Sequence, residues 1–86
     1  MKCVYMFISP SNKVYVGKSV DLKKRFEDHK HRGSNKRYKT YFYNALRKYG
    51  WNNFTRIVLE IFPHDVSNQH MSKRERYWIA YYKAFG

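Results

Sequence analysis

Residues 3–8, near the start of the chain, form an apolar run. Neither of the two faces that alternate along this run is polar. Such runs are typical of a strand that is buried on both sides. Residues 9–12, with the sequence Ser-Pro-Ser-Asn, have the composition of a turn. Residues 14–17 are again rich in β-forming side chains, so they are predicted to form the second arm of a hairpin.

A first helix is predicted over residues 22–32. Leu22 and Phe26 lie four positions apart, which places them on one inner stripe of a helix. Ser19 or Asp21 can cap the start of this helix, because both residue types accept hydrogen bonds from free backbone N–H groups. Arg25 and His29 also lie four apart and flank the same stripe.

A second helix and a third strand follow. Residues 40–49 have an amphipathic spacing, and Gly50 is placed to end the helix. The apolar stripe of this helix is predicted to contain Phe42, Ala45, Leu46 and Tyr49. Residues 54–62 alternate in the manner of a strand. One face of that strand is predicted to contain Thr55, Ile57, Leu59 and Ile61.

The last helix is predicted over residues 71–83, with Trp78, Tyr82 and Phe85 on its apolar stripe. Its start is open between two alternatives. Ser72 and Glu75 have the spacing of a capping box, in which the glutamate reaches back to the helix start. Ser67 would instead cap an earlier start and leave Glu75 free in the middle of the helix.

The predicted order of elements is β-β-α-α-β-α, which indicates an α+β fold with a small three-stranded antiparallel sheet flanked by three helices. A chain of 86 residues holds one hydrophobic core, so residues 1–86 are predicted to form a single domain. No apolar run approaches the ~20 residues that a membrane-spanning helix needs. The single cysteine, Cys3, excludes an internal disulfide and a zinc ribbon and favours a cytoplasmic setting.

The charge of the chain indicates a polyanionic partner. Eighteen Lys and Arg residues against six Asp and Glu give a net charge of +12, and aromatic residues make up 20% of the chain. A basic chain with many aromatic residues is typical of nucleic-acid binding. A basic protein of the membrane surface would gather its Lys and Arg on one helix face. Here they are spread over several segments, so nucleic acid is favoured.

Acidic residues are too few and too scattered for a two-metal site built from clustered carboxylates. They are Asp21, Glu27, Asp28, Glu60, Asp65 and Glu75. Hydrolysis of a phosphodiester needs an activated water, a base, positive charge at the phosphate and stabilisation of the leaving group. A site of this kind in this chain would have to use phenols, a guanidinium, an imidazole and very few acids.

Short motifs with that chemistry occur in a fixed order along the chain. They are Cys3-Val4-Tyr5, Tyr15-Val16-Gly17, residues 17–25 ending in Arg25, His29 one helical turn later, and Glu75-Arg76-Tyr77-Trp78-Ile79. Together they resemble the GIY-YIG nuclease family, and the resemblance extends over essentially the whole chain. Residues 46–54, with the sequence LRKYGWNNF, resemble the homing-endonuclease branch in particular.

The chain also departs from the family pattern. Cys3 stands where the family has its first glycine, and Val4 and Val16 stand at the two isoleucine positions. Many homing-type members have a further histidine after the first helix, and Arg37 falls near that position here. The family's asparagine, which follows the last helix, has no counterpart in the printed sequence.

The resemblance implies catalytic roles. Tyr5 would be the general base or the phenol that orients the attacking water, and Tyr15 would hold the water or the phosphate beside it. Arg25 would bind the scissile phosphate, and His29 would shuttle a proton. Glu75 would be the one protein carboxylate that holds a single Mg²⁺ or Mn²⁺ ion.

Other readings of these residues stay open from the sequence alone. Tyr5 and Tyr15 also suit an aromatic pair in a core, and they share a face only if the hairpin register has an even sum. Arg25 also suits a solvated helix face. Gly17 and Lys18 are expected to approach the phosphate, although a plain turn is an equal alternative. Candidate contacts to the DNA backbone are Lys36, Arg37, Lys39, Arg47 and Lys48.

The sequence therefore predicts a metal-dependent endonuclease domain that hydrolyses a phosphodiester bond of double-stranded DNA. It is expected to act as a monomer without a small-molecule cofactor or a membrane, in the cytoplasm or in the host-cell interior if a phage or mobile element encodes it. The main alternative is a non-catalytic basic nucleic-acid-binding module on the same fold. A weaker alternative is a protein-docking domain that uses exposed aromatic residues, for which the candidates are Tyr38, Tyr41 and Tyr43.

Overall fold

The computed structural model describes residues 1–85, and it has the predicted order of elements. The strands are β1 (Cys3–Ile8), β2 (Val14–Ser19) and β3 (Thr55–Ile61), and the helices are α1 (Leu22–Gly33), α2 (Tyr41–Tyr49) and α3 (Asn68–Tyr82). A short 3₁₀ helix precedes β3 at Trp51–Asn53. The predicted α+β class and the order β-β-α-α-β-α are confirmed. No helix within these residues is both long enough and apolar enough to cross a membrane.

The sheet is antiparallel with β1 at its centre, in the order β2-β1-β3. Tyr5 and Phe7 of β1 pack in a cluster with residues of α1 and α2 on one face. Val4 and Met6 pack on the opposite face with residues of α3. Each alternating face of β1 is thus covered by helices, as its uniformly apolar sequence predicts.

Phe7 packs against both helices that cover its face of the sheet, α1 and α2. Its ring is 1% exposed. The ring centroid lies 5.1 Å from that of Phe26 on α1, 5.0 Å from that of Phe42 on α2 and 5.5 Å from that of Trp51. Aromatic pairs at such spacings stabilise a core beyond the area they bury. This cluster fixes α1 and α2 above the hairpin and so sets the positions of the polar side chains next to it.

The pairing of β3 with β1 contains a β-bulge. Val4 pairs with Glu60, whereas the next residue, Tyr5, pairs with Val58. Leu59 is the extra residue between these two pairs. A bulge places two residues of one strand opposite one residue of its neighbour, so the alternation of faces changes there.

The bulge makes the prediction of one continuous apolar face on β3 wrong. Ile57 pairs with β1 on the α3 side, whereas Ile61 is on the other side of the sheet and is exposed. Glu60 faces α3 instead. Its Oε1 accepts hydrogen bonds from Trp78 Nε1 at 3.0 Å and from Arg74 Nε at 2.8 Å. A polar clamp therefore joins the edge strand to α3.

The start of α3 decides between the two caps that the sequence left open. Ser67 is the N-cap, and its hydroxyl accepts a hydrogen bond from the backbone N–H of His70 at 3.1 Å. The helix begins at Asn68, so Ser72 and Glu75 both lie inside it. Met71 is almost fully buried against the sheet. Glu75 is consequently not used as a helix cap and projects from the middle of α3.

We predict that Ser67→Ala lowers the free energy of unfolding by about 1 kcal/mol, because one backbone N–H at the start of α3 loses its acceptor. Urea denaturation followed by circular dichroism measures the change. The matched control is Ser72→Ala, which removes a hydroxyl from the helix interior and should leave the stability nearly unchanged. A larger loss for Ser72→Ala than for Ser67→Ala would show that the cap is assigned to the wrong residue.

Candidate active site

A cavity of about 470 Å³ opens between the β1–β2 hairpin, α1, the start of α2 and α3. It contains every residue that the sequence singled out as catalytic, although these come from distant parts of the chain. Those residues are Tyr5, Tyr15, Arg25, His29 and Glu75, and Gly17 and Lys18 also line the cavity. The structure thus brings together the phenols, the guanidinium, the imidazole and one carboxylate.

The remaining candidate DNA contacts do not line this cavity. Lys36, Arg37 and Lys39 are exposed on the loop of residues 34–40, between α1 and α2. Arg47 and Lys48 lie in the last turn of α2. Arg47 Nη1 donates a hydrogen bond to the backbone oxygen of the loop residue Asn35 at 2.8 Å. Arg47 therefore has a structural role, and the contacts of these cations with DNA stay predictions.

The hairpin register places the two tyrosines on one face of the sheet. Tyr5 pairs with Gly17 and Phe7 pairs with Tyr15, so Tyr5 and Tyr15 are diagonal neighbours. Side chains two residues apart on a strand share a face. This is the even register sum that the sequence required for a shared site. Both rings are buried, and both line the cavity.

Gly17 makes room for the Tyr5 phenol. A Cβ atom built on Gly17 would lie 2.5 Å from Tyr5 Oη and 2.7 Å from Tyr5 Cζ, which is closer than real Cβ contacts allow. Neither atom can be avoided by a small adjustment, because the ring of Tyr5 is packed against Phe7 and Phe26. The glycine is required here for close approach of a ring to the backbone.

A buried chain of hydrogen bonds runs through the imidazole of His29. Its Nε2 lies 2.7 Å from Tyr5 Oη, and its Nδ1 lies 3.0 Å from Tyr43 Oη. All three side chains are buried. A neutral imidazole has one N–H and one lone pair, so it donates to one of these phenols and accepts from the other. The chain of hydrogen bonds therefore runs in a single direction at any moment.

Tyr43 is the member of this chain that the sequence did not assign to the site. Its sequence position suggests only an exposed aromatic for docking a protein, and its burial makes that role wrong for Tyr43. Its place three residues before Leu46 put it beside the inner stripe of α2. Its contact with His29 depends on how α1 and α2 pack, which no local pattern reveals.

Burial and positive charge set the protonation states of these groups. Burial raises the pKa of the Tyr5 phenol, and the nearby Arg25 guanidinium offsets only part of that effect. Burial, together with the positive charges of Arg25 and Arg32, lowers the pKa of His29 to about 4. At neutral pH the phenol of Tyr5 and the imidazole of His29 are therefore both uncharged.

Arg25 brings a permanent positive charge to the cavity. Its Nε is buried and has no hydrogen-bond partner within residues 1–85. Buried donors are nearly always paired in folded proteins, since an unpaired donor loses its hydration without compensation. An unpaired guanidinium N–H beside an open cavity is suited to an anionic ligand with oxygen acceptors.

Glu75 is the one carboxylate that lines the cavity within the described part of the chain. Its Oε1 lies 3.7 Å from Lys18 Nζ, and both side chains are partly exposed. Residues 1–85 contain no group of three or more His, Cys, Asp or Glu side chains that could hold a metal ion. A single carboxylate, that of Glu75, does not suit zinc, which needs three or four protein ligands. It fits Mg²⁺ or Mn²⁺, because Mg²⁺ keeps several waters and needs only one or two carboxylates plus substrate oxygens.

Comparisons with known proteins bear on the family and the fold of the chain. The family model described as the GIY-YIG catalytic domain matches residues 1–86. The solved catalytic domain of the homing endonuclease I-TevI is similar with 26% identity and a TM-score of 0.74, covering 96% of this chain and 89% of that one. A glutamate-to-alanine mutant of the catalytic domain of the intron endonuclease I-TevI is similar with 25% identity and a TM-score of 0.77, covering 100% and 93%. No curated protein matches the chain.

The low pKa of His29 predicts a specific dependence of stability on pH. Between about pH 4 and 6.5 the unfolded chain protonates this histidine and the folded chain does not. The stabilisation is therefore fully present above pH 6.5 and is lost as the pH falls toward 4, by about 3 kcal/mol in total. Urea denaturation at pH 6.5 and 4.5, with an NMR titration of the imidazole, measures it.

A matched pair of variants isolates the contribution of His29. His29→Gln should flatten the fall in unfolding free energy over this range, because glutamine does not titrate. His31→Gln, at an exposed position two residues later, should retain it. An unchanged slope in His29→Gln, or an imidazole of His29 that titrates near pH 6.5, would contradict the assignment.

Proposed function

The chain belongs to the GIY-YIG family and is an endonuclease of that type, and from that premise we propose that it hydrolyses a phosphodiester bond of double-stranded DNA with the help of one divalent ion. The observation that carries the proposal is the unpaired, buried Nε of Arg25 beside the cavity that Tyr5 and Glu75 also line. A cationic donor, a phenol and a carboxylate around one space can supply the positive charge, the base and the ligand for a metal ion that cleavage of a phosphodiester uses.

Arg25 is the proposed phosphate ligand. A guanidinium presents donors in a planar fork that matches the oxygens of a phosphate, and it stays charged at every relevant pH. Lys18, which also lines the cavity, adds a second positive charge. These groups stabilise the extra negative charge that develops on the phosphate as water attacks. A phosphate oxygen would also provide the hydrogen bond that Arg25 Nε lacks.

Tyr5 is the proposed base for the attacking water, with His29 as the next proton acceptor. Tyr5 carries its own proton at neutral pH, so it can accept one from water only if that proton leaves. His29 Nε2 is the acceptor at 2.7 Å. The water oxygen bonds to phosphorus as its proton passes to Tyr5 Oη and the Tyr5 proton passes to His29 Nε2. The phosphorus–oxygen bond to the leaving group breaks, the leaving oxygen takes a proton from solvent, and His29 returns its proton to solvent.

Tyr43 has a positioning role in this proposal. Transfer of a proton to Nε2 requires the imidazole tautomer whose proton is on Nδ1. The oxygen of Tyr43 lies 3.0 Å from Nδ1 and can accept that N–H. Partners of the second ring nitrogen commonly fix which tautomer a histidine adopts. Tyr43 would thereby keep the lone pair of Nε2 directed at Tyr5.

Glu75 would hold the divalent ion, Mg²⁺ or Mn²⁺, together with waters and substrate oxygens. When bound, such an ion supplies positive charge that stabilises the leaving oxygen. The position of Glu75 in the middle of α3, where it is not a cap, leaves its carboxylate free for this role. The pairing with Lys18 is loose enough, at 3.7 Å and at partly exposed side chains, to be exchanged for an ion.

We predict that Arg25→Ala and Glu75→Ala each reduce plasmid nicking in Mg²⁺ by about 100-fold or more, because each removes charge that stabilises the transition state. Matched controls are their exposed neighbours, Lys24→Ala and Arg76→Ala, which should retain most of the activity. Full nicking activity in a folded Arg25→Ala or Glu75→Ala variant would contradict the proposal.

The same assay separates the enzyme from a non-catalytic binding module. Binding to DNA that survives EDTA, with no nicking by the wild-type chain in any divalent metal, would support the module. DNA binding should weaken steeply as the salt concentration rises, whether the chain is an enzyme or a binding module. The Lys and Arg side chains release counterions from the phosphates, and added salt opposes that release. Salt dependence therefore does not distinguish the two functions, and the nicking reaction does.

Gly17→Ala should lower the rate of nicking by about 100-fold, because the added Cβ displaces the Tyr5 phenol from its place beside the substrate. The control is the same change in a Tyr5→Phe background, where the catalytic oxygen is already absent. There Gly17→Ala should cause little further loss. An equal loss in both backgrounds would mean that Gly17 acts through something other than Tyr5, and wild-type activity in the single variant would contradict the contact itself.

A further inference from the structure

Three aromatic rings form a row from the floor of the cavity to its mouth. The ring centroids of Tyr15 and Phe85 lie 5.3 Å apart with an interplanar angle of 26°, and those of Phe85 and Tyr41 lie 5.4 Å apart at 39°. Their exposed fractions rise from 6% for Tyr15 to 39% for Phe85 and 75% for Tyr41. All three rings line the cavity that also holds Arg25.

The middle ring of this row is held by the backbone. Phe85 N donates a hydrogen bond to Val14 O, and Val16 N donates one to Phe85 O, both at 2.9 Å. These bonds place Phe85 as a short parallel bridge beside Tyr15 of β2. The ring of Phe85 is thereby fixed against the hairpin that carries the proposed catalytic tyrosine, Tyr5.

The outer ring has little structural reason to be aromatic. Tyr41 is the first residue of α2, directly after the N-cap Thr40. One side of its ring faces Phe85, and three-quarters of the side chain is open to solvent. Tyr38, Tyr77 and Tyr81 are other tyrosines of this chain that are not fully buried, but they do not line the cavity. Tyr41 is therefore an aromatic surface placed beside the proposed phosphate site.

We propose that Tyr41 and Phe85 form a stacking platform for the base of a nucleotide that flanks the scissile phosphate. The inference rests on the proposed function, because the nucleotide is placed by its phosphate at Arg25. Charge complementarity identifies the occupant: the chain carries a net charge of +12, and a nucleic acid offers both an anion for Arg25 and a flat ring for Tyr41. Stacking on aromatic side chains tolerates any base, since every base has a π-face.

The platform requires the flanking base to leave the duplex stack. A base that pairs inside a helix presents only its edge, whereas stacking on Tyr41 needs its face. The structure thus assigns this nuclease a substrate that is locally opened at the cleavage position. A mismatch at that position should accelerate cleavage, because the base then leaves the stack at lower cost.

The test compares Tyr41→Ala with Tyr41→Phe on an oligonucleotide duplex whose cleavage position has been mapped with the wild-type chain. Tyr41→Ala should lower kcat/KM by about tenfold, the size expected for one stacked base, and Tyr41→Phe should retain it. Tyr81→Ala, which removes an exposed tyrosine that does not line the cavity, is the control and should have no effect. Unchanged cleavage by Tyr41→Ala would overturn the platform while leaving the proposed function intact.

A substrate with an abasic residue beside the scissile phosphate distinguishes stacking from a merely structural role of Tyr41. At one of the two flanking positions the wild-type chain should lose about the same factor, and Tyr41→Ala should lose nothing further. If the loss from Tyr41→Ala and the loss from the abasic residue multiply at both flanking positions, Tyr41 contacts neither base, and the inference is overturned.

A binding measurement keeps this inference separate from the proposed catalysis. An oligonucleotide with 2-aminopurine at single positions is titrated in EDTA, where no cleavage is expected. The wild-type chain and Tyr41→Phe should quench the fluorescence of one such base, and Tyr41→Ala should not. Quenching without any nicking in Mg²⁺ or Mn²⁺ would retain the platform and refute the nuclease, and the absence of quenching by the wild-type chain would refute the platform.

Discussion

The buried hydrogen bonds of His29 with two tyrosines are the interaction on which the fold and the site both depend. Polar groups are costly to bury unless each one is paired. Tyr5 comes from the central strand, His29 from α1 and Tyr43 from α2, so the pairing is complete only when all three elements have docked. The aromatic cluster around Phe7 supplies that docking. The packing that stabilises this face of the sheet therefore also aligns the proposed proton path.

Positive charge around the cavity suits the proposed anionic substrate but lowers the stability of the free protein. Arg25 helps to lower the pKa of His29, and its own buried Nε has no partner within the described residues. A net charge of +12 on a compact domain also repels itself. A phosphodiester in the cavity would relieve both costs, because it would offer an acceptor to Arg25 Nε and would neutralise charge.

Local sequence patterns predict the helices and strands of this chain. The features that they do not predict depend on how distant segments pack. The all-apolar run of β1 indicated a strand buried on both sides. The shared face of Tyr5 and Tyr15 depends on the register of the hairpin, which the sequence does not determine. The bulge at Leu59 was not predicted, since strict alternation contains no sign of an extra residue. Two caps for α3 were left open because both satisfied the same local rule. Tyr43 was missed because its partner, His29, belongs to another helix.

The protonation state of His29 is the sharpest test of the hydrogen-bonded path from Tyr5 to Tyr43. Nitrogen-15 NMR of the histidine side chains distinguishes a neutral imidazole from a charged one and Nδ1–H from Nε2–H. Because its pKa is about 4, we predict that His29 stays neutral from pH 5 to 8, with its proton on Nδ1 and an unprotonated Nε2 facing Tyr5. A charged imidazole above pH 6, or a proton on Nε2, would contradict it.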